Sequence, residues 1–206
     1  MAGQTKVAVI YYSATGITYQ MAQSAVEAAG DAGAEVRLRK VRELAPEEAI
    51  RSNSGWHAHR LETQDVMEVE LDDLDWADVV IFGSPTRYGM IAAQLKQFID
   101  TTGPLWANGK LADKVYSAFT STATSNGGQE STLLSLFNVF YHWGGIVVAP
   151  GYTDPSQFVA GNPYGASHTS NNGEVPPDDV ALAATALTAK RAVRIGTAVR
   201  QGLAAG

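Results

Sequence analysis

The chain has 206 residues, 45% of them hydrophobic, which suits one globular domain over residues 1–206 with a full core. It carries no cysteine, which excludes disulfides, a thiolate nucleophile and a cysteine-bound iron–sulfur cluster, so any redox work falls to a bound organic cofactor. A net charge of −6, with 15 Lys and Arg scattered along the chain, argues against a nucleic-acid partner, and no apolar run approaches the roughly 20 residues that span a bilayer.

The first apolar run, Val7-Ala8-Val9-Ile10-Tyr11-Tyr12, reads as a buried strand. Lys6 precedes it with no cleavage site in view, so the expected location is the cytoplasm. Gln20 to Ala29 follows as a helix, with Met21, Ala22, Ala25, Val26 and Ala29 on one face. Between the two lies Ser13-Ala14-Thr15-Gly16-Ile17-Thr18, three hydroxyls and a glycine at a strand-to-helix turn. Free amide N–H groups and the positive end of the helix dipole favour an anion there, and the hydroxyls add donors without charge. The loop lacks the Gly-Lys-Ser/Thr ending of a nucleoside triphosphatase, and no Gly-x-Gly-x-x-Gly occurs anywhere. A phosphate monoester fits. The same residues also suit an ordinary junction with Gly16 as turn glycine and Thr18 as cap.

Strand-like runs recur at Glu35–Lys40, Val79–Gly83, Val115–Thr120 and Ile146–Ala149, each followed by room for a helix. This alternation predicts a parallel sheet with helices on both faces. Glu43 to Val69 has little apolar periodicity and reads as a long excursion. Within it, His57 and His59 have no third ligand and read as solvent-facing rather than metal-binding. Ile91, Leu95, Phe98 and Ile99 share a helical face. Tyr152 to Pro177 is a second, Gly- and Pro-rich excursion. The last segment, Pro177 to Leu203, is a helix with Val180, Ala184, Leu187 and Ile195 towards the core and Lys190, Arg191, Arg194 and Arg200 solvated.

In a doubly wound sheet the ligand lies beyond the carboxyl ends of the strands, where the strand order reverses. Three small, polar, glycine-bearing loops converge there: Ser13–Thr18, Gly83–Met90 and Thr120–Glu130. Their backbone groups suit the edge of a flat heteroaromatic ring, with Tyr88 and Trp106 near enough in sequence to stack on it.

The ordered motifs Ser-x-Thr-Gly-x-Thr, Gly-Ser-Pro-Thr-Arg-Tyr-Gly, Thr-Gly-Pro-Leu-Trp, Ser-Thr-x-Thr-x-x-Gly-Gly-Gln-Glu, His142 before Trp143-Gly144, and Asn162–Ser167 resemble those of the WrbA-type NAD(P)H:quinone oxidoreductases. The resemblance runs from Lys6 to about Leu203. It implies a flavodoxin-like, doubly wound five-stranded parallel sheet of order 2-1-3-4-5, forming one FMN-binding domain. It implies that Ser13, Ala14, Thr15, Gly16, Ile17 and Thr18 hold the FMN phosphate. Pro85, Thr86, Arg87, Tyr88 and Gly89 would border the isoalloxazine, and Ser121, Thr122, Ala123, Thr124, Ser125, Asn126 and Gly127 the ribityl chain and ring. It places His142 at the open face of the flavin, Trp106 on the substrate side and Thr15 against the nicotinamide cofactor. Trp143 and Gly145 depart from the family pattern.

The implied activity is two-electron reduction of a quinone by NADH or NADPH, in ping-pong order if both substrates share one open face. His142 or Tyr88 would donate a hydrogen bond to the quinone oxygen, and Arg87 would favour anionic reduced flavin. The family also implies a homo-oligomer, dimer or tetramer. A flavodoxin-like electron carrier and a regulatory FMN-binding module are the alternatives; the loops around Trp106, His142 and Asn162–Ser167, which would cover a ring edge that a carrier leaves free, favour an enzyme. No metal is expected.

Overall fold

Side-chain alternation along β1 (Lys6–Tyr11) decides the architecture: Val7, Val9 and Tyr11 enter one buried cluster, while Ala8, Ile10 and the following Tyr12 enter another. A strand apolar on both sides must be covered on both sides. In the computed structural model, which describes residues 3–205, β1 is an interior strand of a parallel sheet of order β2-β1-β3-β4-β5. The other strands are β2 (Glu35–Lys40), β3 (Val79–Pro85), β4 (Val115–Thr122) and β5 (Ile146–Val147). One face is covered by α1 (Ile17–Asp31) and α9 (Asp179–Ala204), whose buried residues join Val7, Val9, Val79 and Ile81. The other is covered by α4 (Leu71–Trp76), α5 (Ala93–Asp100) and α7 (Gln129–His142). This is the expected flavodoxin-like arrangement.

Three differences bear on the site. First, β3 and β4 each run two residues beyond the predicted ends, carrying Ser84, Pro85, Ser121 and Thr122 in register. Second, a strand lies inside the Tyr152–Pro177 excursion. β5 pairs only with Val115 and Tyr116; β6 (Ala166–Thr169) then pairs, also in parallel, with Phe119 to Thr122. The edge strand is thus split, with residues 148–165, including α8 (Gln157–Ala160), looped out between its halves. Gly165 makes the return possible, since a Cβ there would come 2.4 Å from the Ala118 carbonyl oxygen. Third, the Glu43–Val69 excursion holds two short helices, α2 (Glu47–Ser52) and α3 (Ser54–Glu62).

The predicted face of α9 is corrected. Its buried side is Ala181, Ala184, Thr185, Thr188, Ala189, Ala192, Val193 and Gly196, while Val180 is exposed. Small residues are needed because the helix lies close on the sheet: a Cβ on Gly196 would be 2.2 Å from Val79 Cγ2. Nor are its cations merely solvated, since Arg191 Nε donates to the Ala149 carbonyl and Arg200 lies 3.7 Å from Asp78. Trp143 and Gly145 belong to an aromatic core with Phe82, Tyr116 and Phe140, where a Cβ on Gly145 would meet the Tyr116 ring at 2.3 Å.

Candidate functional site

β1 delivers the 13–18 loop to the N-terminus of α1. Gly16 takes φ +95°, a left-handed conformation that favours glycine, and starts the helix. Ser13 Oγ accepts from Gly16 N–H at 3.0 Å and so closes the turn. The first intrahelical bond runs from Gln20 N–H to Gly16 C=O, leaving the amides of Ile17, Thr18 and Tyr19 without a helical acceptor. An anion at this point meets oriented donors.

The loop after β3 is a tight reversal. Arg87 and Met90 exchange both backbone hydrogen bonds, at 2.7 and 3.0 Å, around Tyr88 at φ +54° and Gly89 at φ +79°. Thr86 anchors it: its amide donates to Ser121 C=O at 2.8 Å, and its Oγ1 accepts from Gly89 N–H at 3.1 Å and from Thr132 Oγ1 at 2.7 Å. Tyr88 is consequently held fully exposed at the rim. Behind it, Gly128 faces Gly89 so closely that a Cβ would come 2.7 Å from the Gly89 Cα.

Together these loops and the end of β4 enclose a cavity of about 570 Å³, within the size range of small-molecule sites. Ser13, Ala14, Thr15, Ile17, Thr18, Pro85, Thr86, Arg87, Tyr88, Ser121, Thr122, Ala123, Thr124 and Gly127 all line it. Arg87 is the one charged side chain on this lining; the rest is hydroxyl, amide and apolar. At its floor Thr18 Oγ1 and Ser121 Oγ are bonded at 3.0 Å, which ties the first loop to β4. The cavity lies at the reversal between β1 and β3, where the sheet topology requires a ligand site.

Ser170, Asn172 and Gly173 also line the cavity, and sequence reasoning missed them. They follow β6 in a 3₁₀ turn over Asn171–Gly173, pinned where Ser170 N–H and Oγ both donate to Thr122 C=O. A Cβ on Gly173 would approach Thr15 Oγ1 to 2.7 Å, so this turn closes down on the first loop. The Asn-Asn-Gly run was the available signal, a turn-forming sequence that here takes φ of 46°, 58° and 92°.

Other expected residues lie elsewhere. Gly16 and Gly89 shape the lining from behind. Ser125 and Asn126, expected along the ribityl chain, line a separate hollow with Asn162 and Ser167. His142 and Trp106, the latter on α6 (Gly103–Ala107), are brought together, with Trp106 Nε1 donating to the His142 carbonyl at 3.0 Å, but off the lining of this cavity. His142 ends the 14-residue α7, and Arg87 and Tyr88 at the cavity rim share a neighbouring hollow with Ser135 and Val139 of the same helix. Neither His142 nor Trp106 is on the lining of this cavity within the chain. His59, expected in solvent, is buried against the Tyr19 ring, with Nδ1 3.2 Å from Glu62. Burial holds its pKa below the ordinary value, against the opposing pull of Glu62.

Residues 5–158 match the family model for NADPH-dependent FMN reductase. A Deinococcus radiodurans protein named NAD(P)H dehydrogenase (quinone) is 48% identical over 180 residues, covering 87% of this chain and 90% of that one. A Sinorhizobium fredii protein of the same name is 42% identical over 196 residues, covering 92% and 96%. Among solved structures, a flavodoxin described as a WrbA-like protein from Agrobacterium tumefaciens superposes with TM-score 0.67 at 25% identity, covering 95% of this chain and 99% of that one. No helix among the described residues is long and apolar enough to cross a membrane.

Proposed function

The chain belongs to the NADPH-dependent FMN reductase family, and from that premise we propose that it is a WrbA-type NAD(P)H dehydrogenase that reduces quinones on FMN held in the 570 Å³ cavity. The observation that carries this reading is the uncharged cradle at the β1/β3 switch point: a helix N-terminus with free amides, ringed by Ser13, Thr15 and Thr18 and without a lysine. Such a nest suits the phosphate of a monoester. The loops beyond it, with Thr86, Tyr88, Ala123 and Gly127, leave a slot with backbone edges for a flat ring.

When bound, FMN supplies hydride acceptance from a reduced nicotinamide and two-electron return to a quinone. The residues hold, orient and tune. Arg87 brings positive charge to the ring end of the cavity, and Tyr88, exposed at the rim, offers a hydroxyl to a quinone oxygen. Both substrates use the one open side in turn, which gives ping-pong kinetics.

The roles of His142 and Trp106 require a second copy of the chain. Their shared patch, with Trp106 and Tyr141 more than half exposed, is presented outward, as are Tyr88 and Met90 at the cavity rim. Large exposed apolar residues of this kind mark contact surfaces. In the homo-oligomer one copy's His142 and Trp106 cover another copy's cavity.

Anaerobic spectroscopy tests the central reading: a yellow protein that bleaches with NADH or NADPH and regains its colour with benzoquinone is expected. A protein that binds FMN but is not reduced by either nucleotide would be a carrier or binding module instead.

A further inference from the structure

A second cavity of about 450 Å³ adjoins the first and shares Ser13 with it. It is built where the carboxyl ends of β1 and β2 meet α3, from the excursion whose sequence carries no periodic signal. We propose that this cavity receives the adenosine 2′-phosphate end of NADPH, with Arg42 as the phosphate anchor. The proposal rests on the reading of the first cavity as the flavin site and names which nucleotide that site is built to use.

Four observations carry it. The lining holds three cations, Lys40, Arg42 and Arg60, against two carboxylates, Glu43 and Glu68. Among the described residues, Arg42 is exposed and has no carboxylate within 4.0 Å, unlike Arg60, which pairs with Glu47 at 3.1 Å. An unengaged guanidinium matches a phosphate dianion through two parallel N–H···O bonds.

Glu43 does not neutralise it. Although burial alone would raise the pKa of Glu43, the donors around it lower the value below the ordinary range. Those donors are the amides of Leu44 and Ala45, Gln94 Nε2, Tyr12 Oη and Trp56 Nε1, all at 2.8–3.1 Å. The carboxylate therefore fixes the Trp56 indole and the Tyr12 ring as walls of the cavity, an apolar surface for a purine.

Tyr11, on the same lining, is 1% exposed, and its hydroxyl has no hydrogen-bond partner among the described residues. A buried hydroxyl left unpaired is costly, and a ligand with ring nitrogens or ribose hydroxyls answers it. Finally, α3 begins against the first loop: a Cβ on Gly55 would lie 3.9 Å from Thr15 Cγ2. A dinucleotide with its nicotinamide over the flavin cavity can thus pass its other end directly into this one.

The test uses the FMN-loaded full chain with 2′-AMP and 5′-AMP as probes, followed calorimetrically. The expected result is that 2′-AMP binds at least about tenfold tighter, that Arg42→Ala abolishes the difference, and that Arg42→Lys restores part of it. In anaerobic flavin reduction, Arg42→Ala should lower the NADPH:NADH ratio of kcat/KM by about ten- to a hundredfold. Arg51→Ala, exposed on α2 outside the cavity, should leave that ratio as in the wild type. Equal binding of the two monophosphates, or an unchanged ratio in Arg42→Ala, would overturn the proposal while leaving the flavin reading intact. If neither nucleotide bleaches the flavin, it is the enzyme reading that fails, and the 2′-AMP titration still decides the second cavity.

Discussion

Thr18 is the most constrained of the loop hydroxyls. It is 1% exposed and bonded to Ser121, whereas Thr15 is partly exposed and faces the cavity beside Gly173. The two threonines, alike in sequence, therefore predict different losses. Thr15→Ala should weaken FMN binding by about 1.5–3 kcal/mol, the worth of one hydrogen bond to a charged group. Thr18→Ala should also lower fold stability, by about 1–3 kcal/mol, because it leaves the Ser121 hydroxyl buried without its partner. FMN titration together with urea unfolding of the apoprotein separates them; equal unfolding midpoints in the two variants would refute the distinction. His59 adds a pH dependence of definite sign. Its folded pKa is depressed by burial, so below about 6.5 the unfolded chain binds the proton more readily. Stability is then fully present above that pH and lost as pH falls through the depressed value. The unfolding midpoint should fall between pH 7 and pH 5, and fall less in His59→Gln; parallel curves would show that His59 does not titrate in this window. The sequence could place the hydroxyls at a turn, but not tell which pointed inward, because that depends on β4, a hundred residues away.

At the scale of elements, what was legible was what local pattern controls. The bounds of β2 and the buried Leu95, Phe98 and Ile99 of α5 were predicted to the residue, since a short alternating run and a 3.6-residue stripe are local patterns. β6 was not. Its four residues alternate too briefly, and its strand character comes from pairing with β4 across the looped-out segment. The 3₁₀ turn that it delivers to the cavity had a local signal in Asn171-Asn172-Gly173, but its place over Thr15 depends on that same pairing. Ser170 is the test of its importance. It donates twice to Thr122, and its Oγ accepts from Gly173 N–H at 3.1 Å, so the side chain holds the turn over Thr15. Ser170→Ala should speed FMN release by about tenfold, equivalent to one net hydrogen bond, with little loss of helix or sheet. Stopped-flow release with far-ultraviolet circular dichroism as control measures both; an unchanged release rate would show that the turn is not a retaining element.

At the scale of the whole molecule, the chain separates its expected site residues into two groups, one on the cavity lining and one off it. The phosphate loop, Thr86–Tyr88, Ser121–Thr124 and Gly127 line the cavity, and Trp106 and His142 sit together outside that lining. Motif order in the sequence carries no information on that separation, which depends on tertiary contacts such as that of Trp106 Nε1 with the His142 carbonyl. A dependence on oligomerisation follows and can be made genetic. His142→Ala should lower kcat/KM for quinone by roughly ten- to a thousandfold, in the range of a lost proton or hydrogen-bond donor, with FMN affinity little changed. A Thr15→Ala/Thr18→Ala chain should be inactive for want of FMN. Each of these variants lacks what the other retains, one keeping a sound cavity and the other a sound His142. If the two parts meet across a subunit contact, mixing the variants under conditions that exchange subunits should create wild-type sites, roughly a quarter of the full number in a randomly mixed dimer. Activity rising on mixing, and falling again when subunits are kept from exchanging, is the expected outcome. Two stable oligomers whose mixture is no more active than its parts would place the whole reaction within one chain and leave Tyr88 as the donor at the quinone.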